Sequence, residues 1–201
     1  MPGADDVPAP GVFVETSGNY EYLTEGYYRC QDAELDGIPL TRPTCNDALD
    51  AYVVPVALEK AALAGLAVPE WYFSNEYFTP PAVVYGVNPF SRKFAVVRTE
   101  ADRESAAKQL TWNFKYSMCC QRIEPTTELV EIRMVGGQTE RGEYADWAYL
   151  VHEAFNLPVA SIRLLKTGSL VQLSAIEILP VRTLTKQERR WADELVRRVR
   201  G

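Results

Sequence analysis

The chain has 201 residues, of which 47% are hydrophobic and 24% charged, the make-up of an ordinary globular protein able to bury its own core. Its net charge of −6 argues against general binding to nucleic acid or to an anionic membrane, either of which needs a basic face. No apolar run approaches the ~18–20 residues of a membrane span, and the start, Met1-Pro2-Gly3-Ala4-Asp5-Asp6, lacks the basic and apolar regions of a secretion signal.

Residues 1–11, rich in Pro, Gly and Asp, read as a flexible N-terminal arm, and residues 12–201 as a single α+β domain. Residues 12–15 and 20–23 are short candidate strands. Residues 25–36 predict a helix closed by Gly37, a common residue just past a helix end. Residues 38–41 read as a strand running into Pro43. Residues 46–64 are helical in composition, with a break expected at Pro55, and Gly65 ends them. An extended segment follows over 68–73.

Residues 82–87 and 94–98 are apolar, β-branched runs on either side of Asn88-Pro89-Phe90-Ser91, a hairpin pattern. Thr99 and Asp102 have capping-box spacing and open a helix to about Leu110. Residues 117–123 and 130–135 read as strands, with Gly136-Gly137 turning the chain. In the second, Val130, Ile132 and Met134 share one face, while Glu131 and Arg133 take the solvent side. Tyr144, Trp147, Ala148, Val151 and Phe155 recur at helical spacing and predict a helix packed by one face. Residues 159–165 and 170–178 form a hairpin at Thr167-Gly168-Ser169. Thr185 and Glu188 make a capping box, and Trp191, Leu195 and Val199 give the last helix an apolar stripe. Hairpins mixed with helices favour an α+β fold, a mixed and largely antiparallel sheet with helices packed on it, over a doubly wound parallel sheet.

Most site chemistries are excluded by composition. Cys30, Cys45, Cys119 and Cys120 match no zinc spacing; they fit free buried thiols in a reducing, cytoplasmic setting, and vicinal Cys119 and Cys120 point to opposite faces of a strand. The single histidine, His152, lies at the edge of an amphipathic helix and reads as structural, so neither a nucleophile triad nor a metal site is expected. Neither glycine-rich phosphate-binding pattern occurs. The arginines and lysines of the last segment read as a solvated helix face. Residues 111–116 could be an aromatic ligand platform or a loop packing its rings on the core.

Carboxylates remain. Val171, Leu173, Ala175 and Glu177 form an apolar row ending in an acid, which must be paired, solvated or used. Arg163 on the neighbouring strand is the candidate partner. Glu177 and Glu131 are the candidate catalytic acids. The most unusual segment is Asn19-Tyr20-Glu21-Tyr22-Leu23-Thr24-Glu25-Gly26-Tyr27-Tyr28, where four tyrosines crowd one glycine, each with a ring to bury and a hydroxyl to satisfy.

That segment, with Arg29-Cys30-Gln31-Asp32-Ala33-Glu34-Leu35-Asp36-Gly37 and Ile38-Pro39-Leu40 after it, resembles the start of the RimK-like ATP-grasp N-terminal (RLAN) family. Ala154-Phe155-Asn156-Leu157-Pro158 and Glu177-Ile178-Leu179-Pro180 look like that family's closing elements. The resemblance implies a non-catalytic accessory or substrate-binding domain, with no cofactor of its own, serving an ATP-grasp carboxylate–amine ligase in trans. It makes Gly26, Tyr27, Tyr28 and Arg163 the candidate substrate- or partner-binding residues.

The middle of the chain supplies a second resemblance. Ala64-Gly65-Leu66-Ala67-Val68-Pro69-Glu70, Pro80-Pro81-Ala82-Val83-Val84-Tyr85 and residues 118–123 are similar to segments of catalytic ATP-grasp domains. Tyr85 stands where that family has its phosphate-binding lysine, and Arg92 or Lys93 could supply the charge instead. Glu177 resembles the glutamate of a metal-binding E-x-N element whose asparagine is replaced by Leu179. This gives an alternative: a divergent ATP-dependent ligase using Lys93, Glu131 and Glu177 with Mg-ATP. A third reading is a structural protein that assembles through Trp71, Tyr72 and Tyr77.

Overall fold

Nine strands and six α-helices follow one another in the computed structural model, which describes residues 11–87 and 93–200, the side chains of Val199 and Arg200 excepted. Residues 1–10 of the expected 1–11 arm, the turn at 88–91 and Arg92 lie outside the described residues. The chain opens with β1 (Val12–Val14), α1 (Glu25–Leu35) and β2 (Leu40–Arg42), then α2 (Cys45–Tyr52) and α3 (Val54–Leu63). Next come β3 (Trp71–Ser74), β4 (Ala82–Gly86), β5 (Phe94–Val97) and α4 (Glu100–Thr111). β6 (Met118–Arg122), β7 (Glu128–Val135), α5 (Ala145–Phe155), β8 (Val159–Thr167), β9 (Leu170–Glu177) and α6 (Lys186–Arg200) complete it.

The strands form three sheets: a parallel pair β1-β2, an antiparallel sheet ordered β3-β6-β4-β5, and an antiparallel sheet ordered β7-β8-β9. This is the α+β, largely antiparallel fold that the pattern of hairpins and helices predicts. The helix break also falls at the proline: α2 and α3 divide at Val53, with Pro55 in the first turn of α3, where a missing N–H costs nothing. No described helix is long and apolar enough to cross a membrane.

Three apolar clusters hold the layers. One lies between the three-stranded sheet and helices α1, α2, α3 and α5, with Ile132, Met134, Phe155, Ile162 and Ile176 at its centre. A second packs α4 on the outer face of the four-stranded sheet. The third joins the two sheets, through Val83, Tyr85 and Cys119 on one side and Leu165 and Ala175 on the other. Cys119 and Cys120 therefore do serve opposite faces, the first turned to the seam and the second to α4. Burial pushes the thiols of Cys30, Cys119 and Cys120 up to about 12, so they stay protonated and unreactive at neutral pH.

Three local expectations change. Residues 20–23 are a loop, not a strand: Tyr20 is fully buried against Tyr52, and Leu23 takes a left-handed conformation at φ 66°. Thr99 does not cap α4, since its hydroxyl donates to the Asp102 carboxylate and accepts no backbone amide. Finally, the apolar row on β9 is broken by a bulge, because β8 pairs Arg163 with Ala175 but Leu164 with Leu173. Leu173 turns to the helical core, Ala175 to the seam, and the intervening Ser174 is freed for polar contacts.

Arg133 lies on the outer face of its strand with Glu131, as expected, and there it fastens α6. Its Nε and Nη2 each donate to a Glu188 carboxylate oxygen at 2.7 Å, while Glu188 completes the predicted capping box with Thr185. Burial alone would raise the Glu188 carboxyl, but the Arg133 fork and the Thr185 amide outweigh it and hold it below the usual range. A depressed folded-state value stabilises the fold above the unfolded glutamate value of about 4.3 and loses that contribution as pH falls through the folded value. Glu188→Gln should therefore be less stable than the parent at pH 7, with the gap closing below about pH 4 in urea unfolding curves.

Candidate functional site

The seam between the two antiparallel sheets holds the buried polar side chains of Gln121, Arg163 and Ser174. Strand register places Glu131, Arg133, Ser161, Arg163, Ala175 and Glu177 on one face of the three-stranded sheet, opposite the helical core. Arg163 is buried there. Its Nη1 donates to Glu177 Oε1 at 2.5 Å and to the Tyr85 hydroxyl at 3.4 Å, and the Phe94 ring centre lies 3.8 Å from its Cζ. Tyr85 and Phe94 stack on one another beside it.

The hydrogen bonds run in one direction. The Ser174 hydroxyl donates to Gln121 Oε1 at 2.6 Å, so its own oxygen accepts from the Tyr85 hydroxyl at 2.7 Å. Gln121 Nε2 returns a bond to the Ser174 carbonyl. Burial raises the Tyr85 phenol above its ordinary value, although Arg163 and Ser174 pull the other way. Arg163 keeps its proton despite burial because Tyr85 and Glu177 face it. The chain Arg163–Tyr85–Ser174–Gln121 thus links β8, β4, β9 and β6 with every member satisfied.

Beside this chain is a cavity of ≈ 70 Å³. Its walls are Ala48, Leu49, Val53, Val54, Val87 and Ile176, and its polar lining includes Tyr20, Glu21, Tyr22, Tyr52, Lys93 and Glu177. The N-terminal tyrosine segment reaches it because residues 17 and 18 dock on the chain after β9: Leu179 N donates to the Gly18 carbonyl and Val181 N to that of Ser17.

The sequence-predicted residues divide accordingly. Glu177 and Lys93 meet at the cavity, with Arg163 behind Glu177. Glu131 is exposed one strand away and accepts the Ser161 hydroxyl at 2.8 Å, Ser161 being the register partner of Glu177. Gly26, Tyr27 and Tyr28 do not line the cavity. Tyr27 is buried in the N-terminal core, where its carbonyl accepts the Cys45 thiol, and Tyr28 is 47% exposed against it. Gly26 is a close-approach glycine: a Cβ there would stand 2.3 Å from the Asn19 carbonyl oxygen. His152 is structural, bonded through Nδ1 to the Leu157 carbonyl. Of residues 111–116, Trp112 and Tyr116 are exposed and Phe114 packs on the α4 core. Sequence reasoning missed Ser174, Gln121 and Tyr52. Nothing in the strand pattern announces the bulge that exposes Ser174 to the seam, and Tyr52 reads as an ordinary helix residue.

No known family description matches the chain, and no curated protein does. Solved structures do match. A D-alanine–D-alanine ligase from Bacillus anthracis aligns over 83% of this chain and 72% of its own, with TM-score 0.61 and 13% identity. A RimK-domain ATP-grasp protein from Sphaerobacter thermophilus aligns over 87% and 77%, with TM-score 0.60 and 15% identity. The ATP-grasp ligase PsnB, solved with a minimal precursor, Mg and ADP, aligns over 83% and 65%, with TM-score 0.58 and 11% identity. At such identities the likeness is one of fold: the chain has an ATP-grasp-like fold.

Three substitutions test the geometry. Gly26→Ala should lower stability by about 1–3 kcal/mol through overpacking, measured by urea unfolding. Arg163→Met should cost about 3 kcal/mol by leaving Glu177 uncompensated, and adding Glu177→Leu should restore most of that loss.

Proposed function

We propose that this chain is an accessory or substrate-binding module of ATP-grasp type, serving in the cytoplasm a carboxylate–amine ligase that acts in trans, and not itself using ATP. The observation that carries this reading is the Arg163–Glu177 pair. In the resemblance to catalytic ATP-grasp domains, Glu177 is the metal-binding glutamate, yet its carboxylate already faces a buried guanidinium. A divalent ion bound there would meet that guanidinium's repulsion, which at equal distance cancels the attraction of the carboxylate and leaves the pair with no net pull on a cation. The residues around Glu177 therefore do not fit magnesium. Among the described residues no cluster of three or more potential metal ligands exists, at Glu177 or away from it.

The other two positions agree. Tyr85, in place of the phosphate-binding lysine, spends its hydroxyl on Ser174. Leu179, in place of the asparagine, is buried in an apolar cluster with Val135, Val159 and Leu184. Apolar packing of Leu165 and Ala175 on Val83, Tyr85 and Cys119 closes the seam between the sheets. One observation favours the divergent-ligase reading instead: Lys93 and Glu177 border the same cavity. Self-assembly through aromatics draws less support. Trp71 and Tyr72 are only partly exposed and pack on neighbouring clusters, which leaves Tyr77 as the exposed ring of the three.

Thermal unfolding with and without millimolar ATP and magnesium separates the readings. Ligand at about 100 times its dissociation constant adds ~2.7 kcal/mol, or roughly 5–10 °C in midpoint for a chain of this size. The expected result is no shift. A rise that needs both ATP and magnesium, and disappears in Glu177→Gln, would replace the accessory reading with the ligase.

A further inference from the structure

We propose that the groove between α6 and the segment preceding it binds an acidic peptide segment of a partner protein, with one apolar side chain on the groove floor and carboxylates at Arg182 and Arg189. This names the partner chemistry that the accessory reading calls for and rests on that reading.

The groove has a volume of ≈ 350 Å³, the size of a ligand site. One wall is a stripe of α6: Arg189, Ala192, Asp193 and Val196 stand three and four positions apart and so share a face. The other wall is Thr16 with Val181, Arg182 and Leu184, held in place where Val181 N donates to the Ser17 carbonyl. Leu184 and Ala192 are buried in the apolar cluster with Val135, Val159 and Leu179, whereas Val181 is 43% exposed and Val196 partly so. An apolar side chain laid on Val181 and Val196 therefore extends an existing core. No aromatic ring lines the groove, which leaves nothing for a nucleobase to stack on.

Charge selects the partner. The chain as a whole carries −6, yet residues 181–198 hold six basic side chains against three acidic ones. Two of those acids are already spent, Glu188 on Arg133 and Glu194 on Arg198. Arg182, Lys186, Arg190 and Arg197 are exposed and form no ion pair among the described residues. Nearby, Glu140 accepts the Thr185 hydroxyl, and Glu15, next to Thr16, is engaged by Arg29 and the Ser17 amide. Arg189 and Asp193 are four apart on the helix and still unpaired. Arg189 turns back instead, its Nε donating to the Leu184 carbonyl at 3.2 Å and its Nη2 to that of Arg182 at 3.5 Å. Its charge, met by no carboxylate, is thus held at the Arg182 end of the groove, with Asp193 one turn further along. That polarity fits a peptide whose acidic residues lie on the arginine side. Exposed charges contribute little singly, so the apolar contact supplies the affinity and the arginines the selection.

The test is fluorescence anisotropy of a labelled pentapeptide, leucine flanked by two aspartates on each side, titrated with the full chain. It should bind at low salt and weaken as salt is raised. Replacing its leucine by glycine should weaken binding about tenfold, and replacing its aspartates by lysines should abolish it. On the protein, Arg182→Glu and Val181→Asp should each weaken the probe about three- to tenfold, while Asp193→Asn should tighten it about twofold. Arg182 and Asp193 hold no other group through their side chains among the described residues, so those two variants should keep the parent's melting midpoint. Val196→Ser serves as the second floor variant if Val181→Asp unfolds. Absence of binding would overturn the proposal, as would equal binding of the glycine peptide, or binding untouched by Arg182→Glu and the floor variants. Equal binding of single-stranded DNA or of anionic phospholipid vesicles would also overturn it, in favour of a general polyanion surface. So would concentration-dependent dimers that Val181→Asp dissolves, which would make a second copy of this chain the occupant. These variants leave Arg163, Glu177 and Lys93 in place. An ATP–magnesium response therefore overturns the accessory reading alone, and a missing peptide response overturns only this inference.

Discussion

A cation buried between two sheets is the constraint on which the rest of this structure depends. Arg163 cannot lose its proton, so everything around it must either share its charge or screen it from apolar surroundings. Glu177 supplies the opposite charge, Tyr85 a hydroxyl oxygen, and Phe94 a ring face. Four strands, β8 and β9 from one sheet and β4 and β5 from the other, are fixed relative to one another by that single need. The bulge on β9 follows from the same arrangement: by slipping the register after Ala175 it frees Ser174 to receive the Tyr85 hydroxyl, which would otherwise be buried without an acceptor.

The N-terminal layer is joined to this seam by close backbone contact more than by side chains. Gly18 passes so near the chain after β9 that a Cβ would fall 1.8 Å from the Leu179 carbonyl oxygen, and Gly26 lets α1 settle on the Asn19 carbonyl. Between those glycines the tyrosines fill the space, Tyr20 into the core and Tyr22 at the cavity. The crowding of phenols at the start of the chain thus has two physical roles, one in packing and one in lining a pocket.

The functional reading turns on charge more than on topology. The backbone arrangement is that of proteins solved with ATP or with Mg and ADP. The side chains at the corresponding seam form a closed, neutralised set. Such a seam favours rigidity, and a small cavity lies beside it.

Much of the architecture was written in the sequence by itself. Alternation in 130–135, helical spacing from Tyr144 to Phe155, the glycine turn at 168 and the Thr185–Glu188 capping box each depend on neighbours a few residues apart, so local periodicity and turn chemistry were enough to place them. The Arg163–Glu177 pairing was also legible, because adjacent strands of a clear hairpin bring those two positions together. Tertiary structure decided what depends on distance along the chain. Tyr20 leaves its expected strand because Tyr52, 32 positions later, gives its ring a buried surface. Arg133, still partly exposed, gains a buried partner because α6 carries Glu188 to it. Ser174, Gln121 and Tyr85 become one hydrogen-bonded chain only when two sheets pack face to face, and no local pattern encodes which buried hydroxyl will meet which acceptor.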